Sequence, residues 1–330
     1  MESIIRIGVL GATGYGGQEL LRFSARHSNI EVTLAMSSHK NEENRTLSAL
    51  TGICSKEIEP LSLDKIAKNT DAVFLALPEN ASAEILPEIA KTGIRVFDLS
   101  GSFRLNNPNL RKKWYPDTPE LEIQPVYGLT ERKRIELRDA KIIACPGCYP
   151  TAALLALEPL VSANFLDGEI VIDAKSGISG AGKKPSERTH FSECDGNVSA
   201  YGIFAHRHTA EMEQELGKQV TFVPHLVPLN RGLIATIYTH VKDSVTYEKV
   251  SAIYEDAYTE SPFVRLRREE LPEIKYVTNT NFCDIGWRLD KATNRLIIVS
   301  CLDNLIKGAA GQALQNFNVV YGLDEQTGLL

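Results

Sequence analysis

The chain has 330 residues, 43% hydrophobic and 24% charged, which is room for about two domains of an ordinary globular protein. Its 36 basic and 42 acidic side chains leave a net charge of −6, which argues against a nucleic-acid partner. No stretch is apolar for long enough to cross a bilayer, Met1-Glu2-Ser3 lacks the basic and long apolar regions of a signal peptide, and six cysteines at this length do not make a secreted disulfide framework. A cytoplasmic location with no membrane contact is expected.

The first half alternates strand and helix. Ile4 to Leu10 is a β-rich run that ends in a glycine cluster. Gln18 to Arg26 predicts a helix, Ile30 to Met36 a strand, and Leu63 to Ala67 a helix ending near Asn69. Ala72 to Leu77 is continuously apolar, which suits a strand buried on both faces. Ala81 to Lys91 predicts a helix with Pro87 inside it, where a kink is possible. Arg95 to Leu99 and Ile142-Ile143 are further strands. This alternation predicts an α/β, Rossmann-type doubly wound parallel sheet.

The texture then changes. Ile170 to Ala174, Thr221 to Val227, Leu233 to Val241 and Leu296 to Cys301 read as strands, several of them alternating. Glu211 to Leu216 and Tyr247 to Tyr258 read as helices. An α+β catalytic and dimerisation domain with a largely antiparallel sheet is expected. Asn304 to Asn318 reads as a last amphipathic helix able to pack on the first domain. The division expected is 1–148 for nucleotide binding, completed by a C-terminal helix in 303–330, and 149–302 for catalysis and oligomerisation. The cluster Arg265-Leu266-Arg267-Arg268 is followed by Glu269, Glu270 and Glu273 and reads as solvated surface.

Gly11-Ala12-Thr13-Gly14-Tyr15-Gly16-Gly17 follows the first strand and opens a helix. It fails GxGxxG but fits GxxGxxG through Gly11, Gly14 and Gly17. Glycines allow the tight turn and bring a pyrophosphate to the helix N-terminus. At the end of the second strand, NAD enzymes usually place an acid for the ribose hydroxyls. Here stand Met36-Ser37-Ser38-His39-Lys40, with hydroxyls and cations suited to a 2′-phosphate. That points to NADP.

Lys141 to Thr151 reads as a strand, a Pro146-Gly147 turn and a helix with Pro150 in its first turn. Cys148 would lie at the mouth of that helix, where free N–H groups stabilise a thiolate able to attack a carbonyl carbon. A packed, inert cysteine is the alternative on local context. Cys145 and Cys148 have CxxC spacing, which admits redox chemistry or metal binding. No second CxxC accompanies them, so no metal is expected.

His206 and His208 alternate in an extended reading of Phe204 to Thr209 and could share a face, one serving Cys148 as acid–base partner. Thr209 would cap the following helix. Arg104 follows a parallel strand, where open α/β sheets bind ligands, and suits a phosphate or carboxylate. Lys183, Lys184 and Arg188 are either a second anionic-ligand region or solvated surface. His225 and Arg231 are further candidates.

With these segments together, and with Ser176-Gly177-Ile178-Ser179-Gly180-Ala181-Gly182, Asn281 to Gly286 and Asp303 to Gln312, the chain resembles the N-acetyl-γ-glutamyl-phosphate reductase family of the aspartate-semialdehyde dehydrogenase superfamily. The likeness runs from Gly8 to about Asn318. It implies Cys148 as nucleophile and His206 as acid–base residue. It implies NADP held by Gly11, Thr13, Gly14, Tyr15, Gly16, Gly17, Ser37, Ser38, Leu77, Pro78, Ser179, Gly180 and Asn304. It implies an acyl-phosphate substrate met by Arg104, His208 and Ser176, and a homodimer or homotetramer. Three positions depart from the family pattern: Cys145 for the usual Asn, Pro78-Glu79-Asn80 for Pro-His-Gly, and Ser102 for Asp.

The implied reaction is reduction of N-acetyl-γ-glutamyl phosphate to a semialdehyde through a Cys148 thioester, in arginine biosynthesis. Related acyl phosphates are alternatives: another N-acyl-glutamyl phosphate, a carrier-bound aminoadipyl phosphate, or aspartyl phosphate. From other classes, a thiol hydrolase would not need the glycine loop. A nucleotide-binding redox sensor would not need Arg104 or His206.

Overall fold

The computed structural model describes residues 4–37 and 46–330. They fall into two compact units, one of residues up to Pro146 together with Ala309–Leu330, the other Gly147–Gly308.

The first unit runs β1 (Ile5–Leu10), α1 (Tyr15–Ser24), β2 (Ile30–Met36), β3 (Ile58–Glu59), α2 (Leu63–Asn69), β4 (Ala72–Leu75), α3 (Glu79–Ala90), β5 (Arg95–Asp98), α4 (Pro108–Trp114), β6 (Val126–Tyr127), α5 (Thr130–Arg138) and β7 (Ile142–Ala144). Its seven strands lie in the order β3-β2-β1-β4-β5-β7-β6, and every pairing is parallel. The chain winds outward from β1 in one direction, then from β4 in the other. The strand order therefore reverses between β1 and β4, where doubly wound sheets open a crevice for ligands. All four residues of β4 are buried, as a strand covered on both faces must be. α4 and α5 escaped the sequence reading. Both are short, and Thr-Glu-Arg-Lys-Arg-Ile-Glu-Leu-Arg in α5 has almost no apolar stripe.

The second unit runs α6 (Cys148–Ser162), β8 (Leu166–Gly177), α7 (Phe191–Cys194), β9 (Ser199–Ala200), α8 (Arg207–Leu216), β10 (Thr221–Val227), β11 (Leu233–Val241), α9 (Tyr247–Tyr258), β12 (Val264–Leu266), β13 (Cys283–Asp290) and β14 (Arg295–Leu302). The sheet order is β12-β13-β14-β11-β8-β10-β9. It is antiparallel except at β8–β10 and β12–β13. One face alternates into the core, as in β10, where Phe222, Pro224 and Leu226 are buried.

The structure corrects the last helix. In place of one amphipathic helix over Asn304 to Asn318, a π-helical turn at Ile306–Ala310 leads into α10 (Gly311–Val320). The Asp303 carboxylate accepts the N–H groups of Leu305 and Ile306 and fixes this start. All ten residues of α10 are buried, in place of one apolar face. Its amides are satisfied within the first unit: Gln312 donates to Gly128 O and Thr130 Oγ1, and Asn316 donates to Gly128 O. The basic cluster is also corrected. Arg265 lies 2.6 Å and Arg267 3.6 Å from the buried carboxylate of Asp284, so two of the three arginines are tied to the sheet.

Candidate active site

In the first unit the glycine loop joins β1 to α1. Gly11 has φ +80°, and a Cβ there would stand 2.2 Å from Ala76 O; a Cβ on Gly17 would stand 2.3 Å from Gly11 O. These two glycines let the turn close against the neighbouring strand. Gly14 caps α1 with no side-chain hydrogen bond, and a Cβ on Gly16 would meet nothing nearer than 3.8 Å. The first turn of α1 thus keeps its N–H groups open beside free space, an arrangement that suits a pyrophosphate. Leu77 is buried behind the end of β4, and Pro78 is the N-cap residue of α3. Ser37 is buried, with its N–H donated to Glu59 O. Ser38, His39 and Lys40 lie outside the described residues.

Arg104 lies in the loop after β5 and is buried. Its Nε donates to Cys145 O at 2.7 Å, and its Nη2 donates to Leu99 O at 2.8 Å. Two departures from the family pattern meet here, since Ser102 Oγ donates to Glu79 O at 2.8 Å. Cys145 is fully buried with its sulfur 3.8 Å from Asn316 Nδ2. Burial first, then the charge of Asp98, pushes its thiol up to about 12. Such a thiol is inert at neutral pH, and Cys145 and Cys148 are both unbridged.

In the second unit Cys148 is the first residue of α6, half-buried, with Gly147 as N-cap and no side-chain cap. Its thiol sits at the positive end of a 15-residue helix. Gly308 packs against it so closely that a Cβ there would lie 2.7 Å from the Cys148 Cβ. The carboxylate of Glu211, 1% exposed on α8, accepts the Gly147 N–H at 2.9 Å.

The two histidines do not alternate along a strand. His206, rather than Thr209, is the N-cap of α8, and its Nδ1 accepts the His208 N–H at 3.1 Å. His208 is in the first helical turn, and the ring centroids are 4.6 Å apart. Burial, with the Arg207 charge second, pulls His206 down to about 4. His206 is therefore neutral near pH 7, and with Nδ1 accepting, its proton is on Nε2. The ring is walled by Tyr149, Tyr201 and Phe222. Tyr149 donates to His225 O at 2.9 Å, and burial first raises its phenol.

Ser176, Ser179, Gly180 and Asn304 come together. Asn304 donates to Ser179 Oγ at 3.0 Å and accepts the Gly232 N–H at 2.8 Å, while a Cβ on Gly180 would stand 2.8 Å from Ser176 Oγ. Arg231 lies 3.9 Å from the Asp303 carboxylate. Glu211, Gly308 and Tyr201 were missed by the sequence reading. Glu211 alone left a signal there: it follows His208 by three residues, which places both on one helical face.

The chain is similar to known proteins. The family described as "Semialdehyde dehydrogenase, NAD binding domain" matches residues 6–140, and "Semialdehyde dehydrogenase, dimerisation domain" matches residues 148–304. The N-acetyl-gamma-glutamyl-phosphate reductase of Bacillus subtilis is 44% identical over 338 residues, covering 98% of each chain. The chain belongs to the N-acetyl-gamma-glutamyl-phosphate reductase family. The reductase of Thermoanaerobacter sp. (strain X514) is 40% identical over 337 residues, 99% of this chain and 98% of that one. In fold the chain resembles aspartate semialdehyde dehydrogenase II of Vibrio cholerae, with TM-score 0.72 at 18% identity over 96% of this chain and 98% of that one. The Candida albicans aspartate semialdehyde dehydrogenase, solved with NADP, gives 0.72 at 15% identity over 97% and 99%. The first unit carries the nicotinamide-cofactor fold of the family. Among the described residues no helix is long and apolar enough to cross a membrane, and no cluster of three His, Cys, Asp or Glu could hold a metal.

Proposed function

We propose that the chain reduces N-acetyl-γ-glutamyl phosphate to N-acetyl-glutamate 5-semialdehyde and phosphate, with NADPH as reductant, in arginine biosynthesis in the cytoplasm. The observation that carries the reading is Cys148 as the first residue of α6, with no side-chain cap at the helix mouth and Gly308 packed against the Cys148 Cβ. The names of the relatives supply the substrate.

The Cys148 thiolate attacks the γ-carbonyl, and the open N–H groups at the start of α6 hold the oxyanion. Phosphate leaves and a thioester remains on Cys148. NADPH, when bound, supplies hydride to that carbonyl carbon. Gly11, Thr13, Gly14, Tyr15, Gly16 and Gly17 would hold its pyrophosphate, Ser37 and Ser38 would meet its 2′-phosphate, and Leu77, Pro78, Ser179, Gly180 and Asn304 are assigned to the cofactor by the family resemblance. The reduced carbon then carries an alkoxide, to which the His206 Nε2–H donates a hydrogen bond; the alkoxide re-forms the C=O as the C–S bond breaks, which frees the aldehyde and returns the electron pair to Cys148 as thiolate. Being neutral, His206 stabilises the oxyanion as a hydrogen-bond donor, and the thiolate depends on the helix rather than on an imidazolium.

Arg104, His208 and Ser176 are assigned to the substrate, and the working form is a homodimer or homotetramer, in keeping with the matched dimerisation domain. The buried, high-pKa thiol of Cys145 speaks against a Cys145–Cys148 redox sensor. The test is loss of NADPH absorbance on adding the acyl phosphate. No loss of absorbance with this substrate, or hydrolysis without NADPH consumption, contradicts the reading.

A further inference from the structure

The second unit holds a cavity of about 810 Å³, of whose lining the steps above use His206 and Gly180. Arg188, Arg207 and Tyr201 line it, with Ser186 and Asn197 offering a hydroxyl and an amide. Glu187 and Glu193 lie on the same wall, so the cavity has no bulk positive charge, and selection must come from placement. The placement is specific. The Arg188 guanidinium lies over the Tyr201 ring, 5.3 Å from its centroid. Tyr201 O–H donates in turn to Tyr149 O–H at 3.4 Å, and Tyr149 follows Cys148 in the chain. Burial pushes the Tyr201 phenol up to about 12; the Cys148 charge adds to this, and Arg188 and Arg207 oppose it. Tyr201 thus links the Arg188 guanidinium to Tyr149, the residue after Cys148.

We propose that this cavity recognises the amino-acid end of the substrate, with Arg188 anchoring its α-carboxylate and Ser186 and Asn197 meeting its N-acyl amide. The assignment rests on Cys148 being the nucleophile for the acyl phosphate. A guanidinium forks onto a carboxylate through two parallel hydrogen bonds, and a ring beneath it holds the fork in place. In a γ-glutamyl phosphate, three carbons separate the reacting carbonyl from the α-carboxylate. Fixing the carboxylate at Arg188 therefore sets the chain length that reaches Cys148 and excludes simple acyl phosphates.

The test compares wild type with Arg188→Met on two substrates, N-acetyl-γ-glutamyl phosphate and 4-acetamidobutyryl phosphate, which lacks only the α-carboxylate. On the first, KM rises about 10- to 100-fold, the range for a lost charge-assisted hydrogen bond, while kcat and the KM for NADPH hold. On the second, wild type is already as poor as the variant, and the substitution removes nothing more. Equal losses on both substrates, or no loss on either, overturn the assignment. Calorimetric binding of N-acetylglutamate needs no turnover and separates this claim from the reaction. If wild type binds it, Arg188→Met binds it at least about tenfold more weakly, and no acyl phosphate is reduced, the cavity assignment stands and the reductase reading falls. If wild type reduces the acyl phosphate and Arg188→Met binds N-acetylglutamate as tightly as wild type, the assignment falls and the reductase reading stands.

Discussion

The carboxylate of Glu211 accepts the backbone N–H of Gly147 at 2.9 Å, one residue before the proposed nucleophile. A buried donor left without its acceptor costs about 1–3 kcal/mol, and a small shift of a reacting group can cost on the order of 10²-fold in rate. Glu211→Ala is therefore expected to lower kcat at least about tenfold and to reduce the Tm. Glu211→Gln keeps an oxygen acceptor and should recover much of the rate. Steady-state kinetics and a thermal melt check this. Wild-type kcat in Glu211→Ala would show that the tether does not position Cys148.

Cofactor choice should follow the end of β2. Ser37 and Ser38 stand where a carboxylate would favour NAD. A higher kcat/KM with NADPH than with NADH is expected, and Ser38→Asp should erase or reverse the preference. Equal efficiency with both cofactors in the unaltered protein would refute it.

His206 makes part of the stability acid-sensitive. Its value falls from the ordinary 6.5 to about 4, chiefly through burial. Between those two pH values the unfolded chain binds more protons than the folded one, so stability rises with pH across the window. The contribution is complete above 6.5 and is lost as pH falls toward 4, at most on the order of 3 kcal/mol. His206→Gln should flatten the urea-unfolding free energy over that window relative to wild type. Parallel pH dependences in the two proteins would contradict the assignment.

Cys145 should not protect Cys148 from oxidation. Its thiol is fully buried and pushed up to about 12, so it supplies almost no thiolate to resolve a sulfenic acid. Peroxide inactivation and recovery by a thiol reductant are expected to match in wild type and Cys145→Asn. Irreversible damage confined to the Asn variant would restore the disulfide idea.

Much of this was legible before the structure. Thr221–Val227, Leu233–Val241 and Tyr247–Tyr258 match their sequence bounds residue for residue, because each carries a clean period and ends at turn residues. Cys148 at a helix mouth was readable from the Pro-Gly turn and from Pro150 behind it. Short elements such as β12 and α7 carry too few residues to show a period. α10 misled for a physical reason: its Gln and Asn side chains look solvent-facing in sequence, yet they pair with Gly128, Thr130 and His27. The partnership of Glu211 with Gly147 spans 64 residues, and no local pattern encodes it.

The most direct test of the thioester route is a single-turnover experiment without reductant. The protein is mixed with N-acetyl-γ-glutamyl phosphate, and phosphate release and intact mass are followed. The account predicts a burst of one phosphate per chain and a mass gain equal to the N-acetylglutamyl group. Peptide mapping should place that group on Cys148, and NADPH should discharge it as semialdehyde. Cys148→Ser should show no burst and no turnover while binding NADPH normally. A missing burst in wild type, an acyl group on another residue, or activity in Cys148→Ser within about tenfold of wild type would contradict covalent catalysis at Cys148.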